Sequence, residues 1–89
     1  MPKNNFSILS NLHMPINVDT QFLERFGENL KKLRKAKGIS QAQLAFEANI
    51  ELSQISRIEL GKINTTIGSI NQIAKTLEIP LEDLFKDLD

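Results

Sequence analysis

The stretch from Gln41 to Leu60, QAQLAFEANIELSQISRIEL, gathers side chains able to reach the base edges of a nucleic acid. They come as Leu52, Ser53 and Gln54, followed one turn later by Ser56 and Arg57. An arginine in such a row can pair with guanine O6 and N7, a glutamine can read adenine, and a leucine can pack on a thymine methyl. Gln41 opens the preceding helix, where free backbone N–H groups and a side-chain amide suit a phosphate. Beyond Gly61, the residues Lys62, Asn64, Thr65 and Thr66 make a polar loop fit for backbone phosphates. Other chemistries lack their residues. The 89-residue chain has no cysteine, which excludes a thiolate nucleophile, a disulfide framework and cysteine-ligated metals. One histidine, His13, leaves little for a metal site or a Ser-His relay, and there is no glycine-rich phosphate loop. No metal, cofactor or catalysis is therefore expected.

These side chains need two short helices at a steep angle, held by a third. Ser40 can cap the first of the pair, with Gln43 three residues on completing a capping box. Its apolar face is Leu44, Ala45 and Ala48, and Ala45 is small where two helices must approach closely. Asn49, which tolerates left-handed geometry, ends it. Glu51 or Leu52 opens the second, with Ile55 and Ile58 inward and Gly61 closing it. Before the pair, Asp19 or Thr20 can cap a helix striped by Phe22, Phe26, Leu30 and Leu33, which Gly38 ends. After it, Thr66 caps a helix carrying Ile67, Ile70, Ile73, Ala74 and Leu77. Pro80 starts a fifth with Leu81, Leu84, Phe85 and Leu88 apolar. No segment has period two. The expected class is all-α, a compact five-helix domain over residues 19–89, with the helix-turn-helix at 41–60. Residues 1–18 read as a separate N-terminal arm, apolar at Phe6, Ile8, Leu9, Leu12, Met14, Ile16 and Val18 but broken by Pro, Ser and Asn.

Composition agrees with one small globular domain: 40% hydrophobic and 25% charged residues. The net charge of zero conceals an asymmetry. Residues 25–62 hold eight bases against four acids, whereas the chain from Ile63 onward carries −3. A basic middle beside an acidic tail suits a polyanionic partner. Lys31, Lys32, Lys35 and Lys37 themselves read as a solvated face adding long-range attraction. No apolar run approaches the roughly 20 residues of a membrane span, and no signal peptide is evident. The expected location is the cytoplasm, at the nucleoid.

The runs LKKLRKAKGISQAQLAFEANIELSQISRIELGK and IGSINQIAKTLEIPLEDLF resemble the lambda-repressor-like, Cro/cI or XRE, helix-turn-helix regulators. The resemblance spans about residues 26–85. Asn49 stands where glycine is commonest, Thr65 where proline is common, and Leu52 and Leu60 where polar residues are frequent. The resemblance implies a regulator, a repressor in the simplest case, that reads double-stranded DNA through its third helix. It supports Gln41, Leu52, Ser53, Arg57 and the loop from Lys62 to Thr66 as contacts. It also implies a partly buried structural salt bridge between Arg34 and Glu59. The alternative on the same scaffold is an antitoxin or adaptor, with the N-terminal arm binding a protein partner.

One helix-turn-helix reads too few base pairs for useful specificity in a genome. A homodimer on a palindromic operator is therefore expected, with Leu81, Phe85 and Leu88 as the seam and the apolar arm as the alternative seam.

Overall fold

The structure, a computed structural model, describes residues 19–88. The expected arm, residues 1–18, lies outside the described residues. Four α-helices follow in order: α1 (Thr20–Ala36), α2 (Gln41–Ala48), α3 (Leu52–Glu59) and α4 (Ile67–Leu77), then a 3-10 turn over Leu81–Phe85. There is no strand among the described residues.

Capping sets the helix starts. Asp19, Ser40 and Thr66 each accept a backbone N–H from the residue three positions later, with distances of 3.0, 3.0 and 3.1 Å. At Ser40 only this half of the expected capping box forms. The Gln43 amide instead donates to Glu47 at 3.0 Å.

All four helices end alike. Gly38, Asn49, Gly61 and Glu78 adopt positive φ between 57° and 75°. The next residue then donates back to a carbonyl five positions earlier: Ile39 to Arg34, Ile50 to Ala45, Lys62 to Arg57 and Ile79 to Ala74. This is a Schellman closure, which satisfies carbonyls that a helix end leaves unpaired.

The core sits between α1 on one side and the α2–α3 pair with α4 on the other. Leu30, Leu44, Ile55, Ile73 and Leu84 have no exposed surface. Each contributes about 1.5–3 kcal/mol relative to exposure. α1 crosses α3 at Gly27, where an added Cβ would meet Ile58 O at 2.3 Å and Glu59 O at 2.5 Å. Only glycine permits that approach, and it is what seats the recognition pair on α1.

The fifth helical element takes the 3-10 form, over Leu81–Phe85. Asn29 Nδ2 on α1 donates to the carbonyls of Asp83 and Leu84, at 3.0 and 2.9 Å. Those carbonyls would otherwise serve Asp87 and Leu88 in an α-helix, and Asp87 has turned to φ 59°. Two expectations are corrected here. Leu88, expected on a dimer seam, is 7% exposed and belongs to the core, its carbonyl held by Arg25 Nη1 at 3.3 Å. Ile67, expected inward, is 80% exposed because it occupies the first turn of α4, ahead of the buried stripe Ile73, Ala74 and Leu77.

Candidate nucleic-acid interface

α3 buries Ile55, Ile58 and Glu59 and turns its other arc outward. Leu52, Ser53 and Arg57 are exposed, while Gln54 and Ser56 are half-buried. Leu52 keeps half of its surface. The turn that aims α3 away from α2 is fixed by Asn49 in left-handed geometry, with Ile50 half-buried beneath it. The start of α2, the outer arc of α3 and the loop after α3 are the three segments that sequence reading assigned to contact.

Four of the assigned side chains, Gln41, Gln54, Thr65 and Thr66, are engaged within the protein. Gln41 Nε2 donates to Glu59 Oε1 at 2.8 Å, so one amide proton points inward rather than at a phosphate. The amide's second N–H and its carbonyl stay available, as do the backbone N–H groups of the first turn. Gln54 Nε2 donates to Thr65 Oγ1 at 3.2 Å, linking α3 to the following loop. In that loop Lys62 and Asn64 are exposed and Thr65 is half-buried. Thr66 is exposed, and its hydroxyl caps α4.

Glu59 is the hub beneath this surface. Its carboxylate accepts from Arg34 Nε at 2.6 Å, from Arg34 Nη2 at 3.1 Å and from Gln41. Arg34 Nη1 donates in addition to the Ile39 carbonyl at 2.8 Å. Arg34 and Glu59 are 6% and 5% exposed. The hydrogen bond to Glu59, opposed by burial and helped by the carboxylate's charge, raises the Arg34 pKa above the usual arginine value. A forked pair of this kind fixes geometry as well as charge. Here it joins the end of α1, the turn at Ile39, the start of α2 and the end of α3.

Lys62 departs from a pattern. After the other three left-handed residues that close α-helices the chain places an isoleucine, at 39, 50 and 79, and each packs against the core. After Gly61 it places an exposed lysine. A hydrophobic residue is the usual companion of this closure. Here the position gives up packing for a cation beside α3.

Sequence reading gave no role to Asn29, whose two bonds to the 3-10 turn span more than fifty residues and leave no local signal. It also assigned nothing to Phe46, which is 86% exposed on α2. Its place off the face of Leu44, Ala45 and Ala48 was the available sign. Among the described residues no three His, Cys, Asp or Glu side chains gather to hold a metal, and no helix is long and apolar enough to cross a membrane.

Residues 30–84 match the family model described as helix-turn-helix. The chain is 39% identical over 66 residues to control protein C.MunI of Mycoplasma sp, covering 73% of this chain and 89% of that one. It is 37% identical over 60 residues to control protein C.BamHI of Bacillus amyloliquefaciens, covering 66% of this chain and 74% of that protein. The crystal structure of the restriction-modification controller protein C.AhdI from Aeromonas hydrophila superposes with a TM-score of 0.70 at 38% identity, over 71% of this chain and 96% of that one. Matched across more than half its length, the chain belongs to the XRE-type helix-turn-helix family of DNA-binding transcriptional regulators.

Proposed function

We propose that the protein is a sequence-specific controller of transcription that places α3 in the major groove of a palindromic operator, as a homodimer. In this reading Arg57, Gln54, Ser53, Ser56 and Leu52 face base edges. The start of α2 at Gln41 and the loop Lys62, Asn64, Thr65 and Thr66 hold the phosphate backbone on either side. The observation that carries it is the exposed arc of α3, with Leu52, Ser53 and Arg57 outward while the buried Arg34–Glu59 pair locks the helix beneath. The likeness to the restriction-modification controller protein C.AhdI favours control of restriction-modification genes, with repression following from occupation of a promoter. Leu81 and Phe85, 39% and 42% exposed, supply the seam that Leu88 does not.

Selection from a random duplex library tests this. The expected result is a two-fold symmetric site whose half-sites lie about 34 Å apart, one turn of DNA. No enrichment at moderate salt would overturn it and favour the antitoxin or adaptor alternative.

A further inference from the structure

Along the outer face of α1 lies an open groove of about 450 Å³, bounded by the last described residues, Lys86 to Leu88. Arg25, Lys31, Lys32, Lys35 and Lys86 line it together with Glu28 and Asp87, so five cations face two acids. Sequence reading gave Lys31, Lys32 and Lys35 no more than long-range attraction. Among the described residues these three make no ion pair, whereas Lys86 meets Asp83 at 3.1 Å. Lys31 and Lys35 stand one turn apart, the spacing at which like charges repel along a helix. The helix dipole favours cations in the last turn, which accounts for Lys35 but not for Lys31 and Lys32.

We propose that this groove binds an oligophosphate, a short chain of phosphates that is either free or the tail of a nucleotide. The first reason is charge and its spacing. Arg25 and Lys35 lie about 15 Å apart along the helix axis, so a ligand that meets the whole row carries several charges in line. A single carboxylate or sulfate meets only part of it. Ammonium and guanidinium donors gathered in one cleft concentrate anions there. The second reason is what the groove lacks. No aromatic side chain lines it, and Leu88, its one apolar residue, is 7% exposed. Nothing there stacks on a base or holds an acyl chain, so the phosphates alone are recognised. The third is position. Arg25 and Lys32 stand two places ahead of Gly27 and Arg34, about 200° round the helix from the residues that meet α3. α1 therefore stands between the groove and α3, and a duplex on the outer arc of α3 does not enter it. Leu81 and Phe85 do not line the groove, so the homodimer seam proposed above does not use its walls.

Calorimetric titration of the full-length protein with sodium tripolyphosphate, at about 150 mM salt and without divalent cations, tests this. One saturable site per protomer is expected. Lys32→Gln combined with Lys35→Gln should weaken it about tenfold, since two charged contacts are lost. Both positions are exposed and glutamine suits a helix, so folding holds. Lys37→Gln combined with Lys75→Gln removes the same charge from exposed positions outside the groove, and should change affinity by less than about twofold. ATP should match tripolyphosphate within about threefold. Equal losses in the two double variants, or no saturable binding, would overturn the proposal. ATP bound about tenfold more tightly would overturn recognition by phosphates alone. The salt dependence of binding to a random-sequence duplex is read in parallel. The groove variant should change its slope no more than the control variant does. A slope lower by about two in the groove variant alone would assign these lysines to DNA phosphates and overturn the proposal as well. None of these titrations needs an operator, so the docking of α3 is tested separately.

Discussion

Arg34 and Glu59 are two side chains whose loss would be felt throughout the recognition unit. Removing one partner leaves a buried charge facing no counter-charge, and a break of this kind costs about 3–5 kcal/mol. Arg34→Ala and Glu59→Ala are both expected to lose stability on that scale, measured by urea denaturation. Because the folded pKa of Arg34 is raised, its contribution is complete at every pH below the ordinary arginine range and lost only above it. The deficit of Arg34→Ala should therefore be equal at about pH 6 and about pH 9. A deficit that changes between those values would point to another titrating group. Lys62 belongs to the same scale. If it serves phosphates in place of packing, Lys62→Ala should weaken all DNA sequences alike and lower the slope of affinity against salt by about one. A sequence-dependent loss would move Lys62 from backbone to base contact.

The elements are held by their ends and by one close crossing. Glu78 takes a left-handed conformation that a side chain disfavours by roughly 1–2 kcal/mol, whereas Gly38 and Gly61 take theirs freely. Glu78→Gly should raise stability by about 0.5–1 kcal/mol once the unfolded-state entropy of glycine is subtracted, seen as a higher melting temperature. Gly27→Ala should do the reverse. Its Cβ would press on two backbone carbonyls that cannot rotate away, so α1 and α3 must separate at a cost of about 1–3 kcal/mol. Unchanged melting of Gly27→Ala would mean that the crossing is looser than drawn. These ends and starts were largely legible in the sequence. Asp19, Ser40, Thr66, Gly38, Asn49 and Gly61 each act locally, through a side-chain cap or a permitted φ. The left-handed turn at Glu78 was not legible, since glutamate gives no such sign. Nor was the 3-10 turn, because what diverts it is Asn29, a residue remote in sequence. Ile67 reads as core by spacing alone, and only the neighbours that stop short of it show otherwise.

At the scale of the whole molecule, the surface rather than the core decides function, and there the sequence was a poorer guide. Leu81, Phe85 and Leu88 have equal hydropathic claims to a seam, yet Leu88 is inside. Burial of this kind depends on where α1 presents Arg25, not on local pattern. Leu81→Glu tests the remaining seam. Its site is 39% exposed, so folding should hold while operator affinity falls and sedimentation shows monomer alone. An unaffected dimer would place the seam elsewhere. The central claim is that α3 reads base edges, and Arg57 is its single base and its best reporter. The measurement is binding of wild type and Arg57→Ala to every single-base-pair variant of the selected operator. The expected result is a loss of about 1–3 kcal/mol together with a flattened preference at one base pair in each half-site. A profile of unchanged shape, weakened uniformly at all positions, would contradict base reading by Arg57 and reduce it to a phosphate contact.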